Sequence, residues 1–449
     1  MIDDTTEENQ GEPQGKKPKV IKQENSDHDP LTLMIKNIPK APKRHLSDLM
    51  YIERHENGGG YALHIYSDEL IHLSREEVSL LVRKFFKNLF AERNKKPYSV
   101  PFSYYSIGVV HGAARPIPDL LNYLTSKFPN MKITTNNLES KNSTLNMTLS
   151  KFTENVYKNY SKGTYRFGPL HAISLVGTKG EEKGNFINDI LKLIENDPFL
   201  HEVMPWGPLS ELSGIPPEKS DDGPILWVRP GEQSIPLKSI SLKIKHTNAD
   251  IAELLSSHGR VNIGRQVLVP DRTPCHADHI DEGVFRHTTA AVGILKAIDP
   301  IREKTQKPSP EAKMASYYSC LANETRSYGR ICKDVVVFDP RHYPDLIKRL
   351  SLDIMEPPAS QCSNFWADDG ELNMLRSEGY RYVRLNLRDN DIYFIPRNVI
   401  HQFKTVSACV SIAWHARLSH YVQDQIPRYK EEIKQEPKTT MNAGEYEES

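Results

Sequence analysis

The chain has 449 residues, enough for one large domain or two to three ordinary ones. Its 58 lysines and arginines equal its 58 aspartates and glutamates, so no net field draws it to nucleic acid or an anionic membrane, and sequence-specific DNA binding is not expected. Five cysteines (Cys275, Cys320, Cys332, Cys362, Cys409) include no C-x-x-C pair, which excludes the usual four-cysteine zinc spacing and argues for reduced thiols in the cytosol or nucleus.

Hydrophobic content of 38% is low and predicts polar ends around a globular centre. No signal-peptide pattern and no apolar run near about 20 residues is present, so a soluble intracellular protein without membrane contact is expected. Residues 1–45 and 428–449 are polar and Lys/Glu/Pro-rich and read as disordered tails. The first contains Gly15-Lys16-Lys17-Pro18-Lys19-Val20, a small basic cluster suited to nuclear import. Val20-Ile21-Lys22-Gln23-Glu24 and Glu432-Ile433-Lys434-Gln435-Glu436 each resemble a SUMO acceptor site, which makes Lys22 and Lys434 the expected attachment points.

Between the tails, 46–215 reads as an α/β region. Leu80, Leu81, Val82, Phe85, Phe86 and Leu89 recur at helical spacing and predict a helix over 75–92. A strand is expected over 104–110, a helix over 119–128, a strand near 170–177 and a helix around 184–195. The stretch Gly223-Pro224-Ile225-Leu226-Trp227-Val228-Arg229-Pro230 reads as a buried strand bounded by breakers.

Residues 216–427 change to short strands, expected over 261–269, 288–298, 334–338, 380–387, 392–395 and 404–414, with helices near 342–352 and 368–378. A polar stretch at 300–330 looks like an insertion between neighbouring strands. Many short strands with turn residues between them suggest a barrel or a double-sheet jelly roll.

Chemistry concentrates in two places. In Cys275-His276-Ala277-Asp278-His279, strand geometry would send His276 and Asp278 to one face and Ala277 to the other. The second place follows an Asn390-Asp391 turn and the strand Ile392-Tyr393-Phe394-Ile395, which Pro396 ends. There His401 opens the next strand, 125 residues after His276. Two imidazoles and one carboxylate would occupy one face of an octahedral metal and leave three positions open, the arrangement of non-haem Fe(II) oxygenases. His279 is an alternative to His276, and His401 alone could be a hydrogen-bonded buried histidine.

The Asn390-Asp391-Ile392-Tyr393-Phe394-Ile395-Pro396 run with His401 resembles the strand-turn-strand of Jumonji C (JmjC) oxygenases, where a Gly-Asp turn commonly precedes the distal iron histidine. More narrowly, 220–233, Thr289-Ala290-Ala291-Val292-Gly293 and 390–408 resemble the round spermatid basic protein family, which includes a nematode dosage-compensation demethylase. The similarity runs over roughly 45–425 of this chain.

The resemblance implies a double-stranded β-helix, a cupin-like jelly roll, within an α+β protein whose N-terminal region packs on it. It also implies a nuclear chromatin regulator that demethylates histone lysine with Fe(II), 2-oxoglutarate and O₂. The associated substrate is dimethylated H4 lysine-twenty on the histone tail or nucleosome. His276, Asp278 and His401 are then the iron ligands. Lys333, in Ile331-Cys332-Lys333-Asp334-Val335-Val336-Val337-Phe338-Asp339-Pro340, is the first choice to hold the distal carboxylate of 2-oxoglutarate, and Lys296 the second. The second ring nitrogens of His276 and His401 should find hydrogen-bond partners.

Two departures stand out: the turn is Asn-Asp, and Ser411-Ile412-Ala413-Trp414-His415 lacks the asparagine that many relatives carry in the last strand. The alternatives are a JmjC protein hydroxylase on a non-histone substrate, a catalytically silent chromatin-binding module, and a metal-free or zinc-loaded cupin-like protein.

Overall fold

The computed structural model describes residues 45–98, 100–136, 138, 144–176, 187–236, 266–280, 287–300, 329–352 and 365–423. The basic cluster, Lys22, Lys434, nearly all of both expected tails and most of the 300–330 insertion lie outside the described residues.

Fourteen of the described strands form two sheets. They are β1 (Tyr51–Arg54), β2 (Tyr61–Tyr66), β3 (Ile107–His111), β4 (Lys132–Asn136), β5 (Thr144–Thr148), β6 (Leu170–Ser174) and β7 (Ile225–Arg229). The rest are β8 (Arg272–His276), β9 (Ala290–Ala297), β10 (Ile331–Phe338), β11 (Tyr382–Arg388), β12 (Ile392–Ile395), β13 (His401–Thr405) and β14 (Cys409–Ala416).

The larger sheet has the order β1-β2-β3-β12-β9-β14-β7-β6-β4-β5 and the smaller one β8-β13-β10-β11. All these neighbours run antiparallel except β2 and β3. The protein is therefore a mixed α+β fold built on a large, mostly antiparallel sheet. Its four central strands come from the C-terminal half, and the N-terminal region adds three strands at each edge. Residues from Leu46 onward belong to one compact unit.

Eight α-helices accompany the sheets among the described residues: α1 (Arg75–Leu89), α2 (Leu120–Lys127), α3 (Leu149–Lys158), α4 (Asn188–Glu195), α5 (Pro198–Val203), α6 (Tyr343–Arg349), α7 (Asp369–Ser377) and α8 (Ser419–Gln423). None is long and apolar enough to cross a membrane. The best defined start is that of α1. The Ser74 hydroxyl accepts from Glu77 N and the Glu77 carboxylate accepts from Ser74 N, a reciprocal cap.

Along α1, Leu81, Val82, Phe85, Phe86 and Leu89 are buried, each contributing about 1.5–3 kcal/mol through apolar area removed from water. Leu80 faces solvent with 55% relative exposure, so the expected stripe is one residue narrower.

Side-chain alternation in the central strands divides the interior into layers. In β9, Val292 and Ile294 join a helix-side cluster with residues of α1 to α5, whereas Ala291 and Leu295 face the other way. In β14, Val410, Ile412 and Trp414 take the helix side and Cys409 the opposite one. That second side meets Val335, Val337 and Phe403 of the smaller sheet. A third cluster, containing Cys275, Ala277, Val336 and Phe338, covers the far face of the smaller sheet beneath α6 and α7. The order is helices, sheet, sheet, helices.

Two expectations change. The single strand expected over 404–414 is two, β13 and β14, separated at Val406-Ser407-Ala408. The break is held by other segments: Val406 N donates to Cys332 O (2.8 Å), Ala408 N to Gly163 O (2.7 Å) and the Ser407 hydroxyl to Ile331 O (2.6 Å). In addition, β8 ends at His276, so Asp278 lies just past the strand rather than within it. Thr289 N donates to the Asp278 carbonyl (2.9 Å) and fixes the backbone there.

Candidate metal centre

The pairing of β8 with β13 sets His276 opposite His401, with ring centroids 4.3 Å apart. Ligand atoms of His276, Asp278 and His401 all lie within 4.8 Å of one another, and this cluster could hold a metal ion. The adjoining Cys275 and Ala277 turn to the helix side, as strand alternation requires. Burial pushes the Cys275 thiol up to about 12, and it donates to Gln402 Oε1 (3.1 Å), which keeps it out of the cluster.

Both histidines are oriented by their own backbone. His276 Nδ1 donates to Pro274 O (2.8 Å) and His401 Nδ1 to Val399 O (3.0 Å). A carbonyl can only accept, so each Nδ1 carries the hydrogen and, in the neutral ring, each Nε2 keeps its lone pair. These are the partners that the sequence left unidentified.

Burial and the neighbouring His276 push His401 down to about 4, so its ring is neutral near pH 7. Burial opposes ionisation of Asp278, but His401, His415 and His276 outweigh it and hold the carboxyl well below the usual range. His401 Nε2 therefore presents a lone pair to Asp278 Oδ2 at 3.4 Å. Two electron-pair donors facing each other without a proton between them fit a cation, and two imidazoles with one carboxylate suit a divalent transition metal.

His279 does not join them. Its Nδ1 donates to Ala277 O (2.7 Å), and its Nε2 faces the Tyr343 hydroxyl at 3.3 Å.

Lys333 shares the inward face of β10 with Val335 and Val337. Cross-strand register pairs these three with Thr405, Phe403 and His401 of β13. Lys333 thus stands two rungs along from His401, roughly 13 Å at about 3.3 Å per residue. Its ammonium lies over the Phe403 ring, 5.1 Å from the centroid, and 3.5 Å from Ser411 Oγ. Among the described residues no carboxylate pairs with it, because nearby Asp271 is taken by Arg229 at 2.9 Å. Burial lowers its pKa, the mark of a cation with too little compensation.

Lys296 goes elsewhere. It points to the helix side of β9, where its Nζ donates to Ala114 O (3.0 Å) and Asn390 Oδ1 (2.5 Å). The structure does not bring it to the cluster. It does account for the Asn-Asp turn: Asn390 has φ of 69°, a left-handed conformation that asparagine tolerates, and its side chain gains a partner that glycine would lack.

Sequence reasoning passed over His415, whose Nε2 lies 3.4 Å from Asp278 Oδ1. Its ring edge still reaches solvent, at 33% relative exposure. The signal was the alternation in β14, where Cys409, Ser411, Ala413 and His415 form a small and polar file between Val410, Ile412 and Trp414. On the neighbouring strand, Gly293 leaves room for the Tyr393 ring; a Cβ there would come within 2.1 Å of it. No protein-family model matches the chain.

Proposed function

We propose that this protein is an Fe(II)- and 2-oxoglutarate-dependent oxygenase of the JmjC type that demethylates histone lysine, with dimethylated H4 lysine-twenty as its substrate. The observation that carries the reading is the shared face. His276, Asp278 and His401 bring their donor atoms within 4.8 Å of one another, and Lys333 offers an ammonium without a carboxylate partner among the described residues, two rungs away on the same interior surface.

The strand order supports the finer fold reading. From β7 to β14, successive strands fall in the larger, smaller, larger, smaller, smaller, larger, smaller and larger sheet, the alternation of a double-stranded β-helix.

Fe(II) bound by the three ligands would supply oxidative decarboxylation of a 2-oxo acid coupled to oxidation of a C–H bond. The chain's own residues would do the rest. Each Nδ1–H donated to a backbone carbonyl holds its imidazole with Nε2 inward. The Lys333 ammonium binds the distal carboxylate, which compensates its buried charge. Phe403, Tyr393 and Leu295 wall the interior and exclude water from the site. No separate general base is needed.

The test is to incubate the full chain with dimethylated H4-tail peptide, Fe(II), 2-oxoglutarate and O₂, with His276→Ala as control. Loss of one methylene's mass per methyl group with formaldehyde release, absent from the control, is the expected result. Gain of one oxygen's mass would assign a hydroxylase instead, and no cosubstrate turnover with metal bound would leave the binding-module reading.

A further inference from the structure

Asp278 has two carboxylate oxygens, and they meet different neighbours. Oδ2 faces His401 Nε2 at 3.4 Å, on the side where the three donors converge. Oδ1 faces His415 Nε2, also at 3.4 Å, from a different sheet. His401 stands on β13 of the smaller sheet and His415 on β14 of the larger one, so the carboxylate spans the space between the sheets. β8 has already ended at His276, so ladder hydrogen bonds do not fix the Asp278 side chain.

His415 is itself firmly placed. It pairs with Ala291 across β9, and its backbone N donates to Asp222 O (3.1 Å). Asp222 is in turn held by Arg417 at 2.7 Å.

We propose that His415 is the positioning residue of the carboxylate ligand: by donating from Nε2 it commits Oδ1 of Asp278 and leaves Oδ2 alone to bind the cation. This rests on the metal-site reading above and adds a role for a side chain outside the three ligands. A single-oxygen carboxylate matters because it keeps three of six octahedral positions open, whereas a chelating one would consume a position that substrates need. Hydrogen-bond partners of ligands typically change metal affinity by about 10–100-fold when removed.

The test uses Co(II) as probe on the full chain without cosubstrate, following the visible absorption of the bound ion. His415→Gln keeps a side-chain N–H donor, and His415→Leu keeps bulk without one. His415→Leu is expected to bind Co(II) about 10–100-fold more weakly than the unaltered chain. His415→Gln should recover most of that affinity with an unchanged spectrum. Thermal unfolding of each metal-free protein checks the fold, and His415→Ala replaces the leucine variant if that one melts early.

Equal affinity in all variants would overturn the proposal while leaving the metal site intact. A loss that glutamine does not recover, with a spectrum signalling a lost ligand, would overturn it in favour of His415 as a fourth ligand. Failure of the unaltered chain to bind Co(II) would overturn the metal-site reading and this proposal together.

Discussion

Lys296 and Lys333 are both drawn out of water into the same pair of packed sheets, yet on opposite sides of the larger one they meet opposite conditions. On the helix-covered side Lys296 finds two oxygen acceptors, Ala114 O and Asn390 Oδ1, and its neighbours Val292 and Ile294 pack against helices. Between the sheets Lys333 finds an aromatic face and one distant hydroxyl. The first environment is finished by the chain itself. In the second, no carboxylate among the described residues pairs with the ammonium, since nearby Asp271 is taken by Arg229. The contrast separates a lysine that holds the fold from one suited to hold a ligand, although both sit near strand ends, Lys296 buried and Lys333 half-buried.

The largest expected effect lies between the sheets. Asp278→Ala removes a ligand and should abolish 2-oxoglutarate turnover in metal-replete buffer; a retained rate would remove Asp278 from the site. Next, Lys333→Met should raise the apparent KM for 2-oxoglutarate about 10–100-fold, the equivalent of one charged hydrogen bond of about 1.5–3 kcal/mol. Its stability in urea should hold or rise, because an uncompensated buried charge is lost. An unchanged KM would end the assignment of Lys333.

Lys296→Met is expected to behave in the opposite way. It leaves Asn390 Oδ1 without the Lys296 donor and Ala114 O with only Ile117 N, and should lower stability by about 1–3 kcal/mol, with KM unaltered. A raised KM at full stability would erase the contrast between the two faces.

The smallest effect belongs to the helix-covered side alone. Asp197 caps α5, accepting from Phe199 N and Leu200 N, and burial raises it from 3.8 to about 6. The folded state then keeps a proton that the unfolded chain releases between pH of about 4 and 6. Stability should fall as pH rises through that window and level off above it. Asp197→Asn keeps a good cap and should remove that component, read as the difference in urea midpoint between the two proteins at pH 4 and pH 7. Parallel pH profiles would show that Asp197 titrates normally.

Much of this was legible in local pattern. The stripe of α1, the buried strand at 225–229, the Asn390-Asp391 turn and the proline that ends β12 all act over a few residues. The spacing of His276 and Asp278 and the position of His401 at a strand opening were readable for the same reason. The division between β13 and β14 was not, because Thr405-Val406-Ser407-Ala408 carries no glycine, proline or asparagine. Its turn exists only through hydrogen bonds to Gly163, Ile331 and Cys332, which are distant in sequence.

The sequence by itself determined which side chains could serve as ligands and which residues alternate across each strand, since both follow from residue type and a two-residue period. Only the tertiary structure decided which lysine shares the interior with the His276-Asp278-His401 cluster, because Lys296 and Lys333 look alike as strand-end lysines. It alone brought His415 to Asp278, 137 positions apart in the chain. Register and the stacking of two sheets set those contacts, and they depend on the whole chain at once.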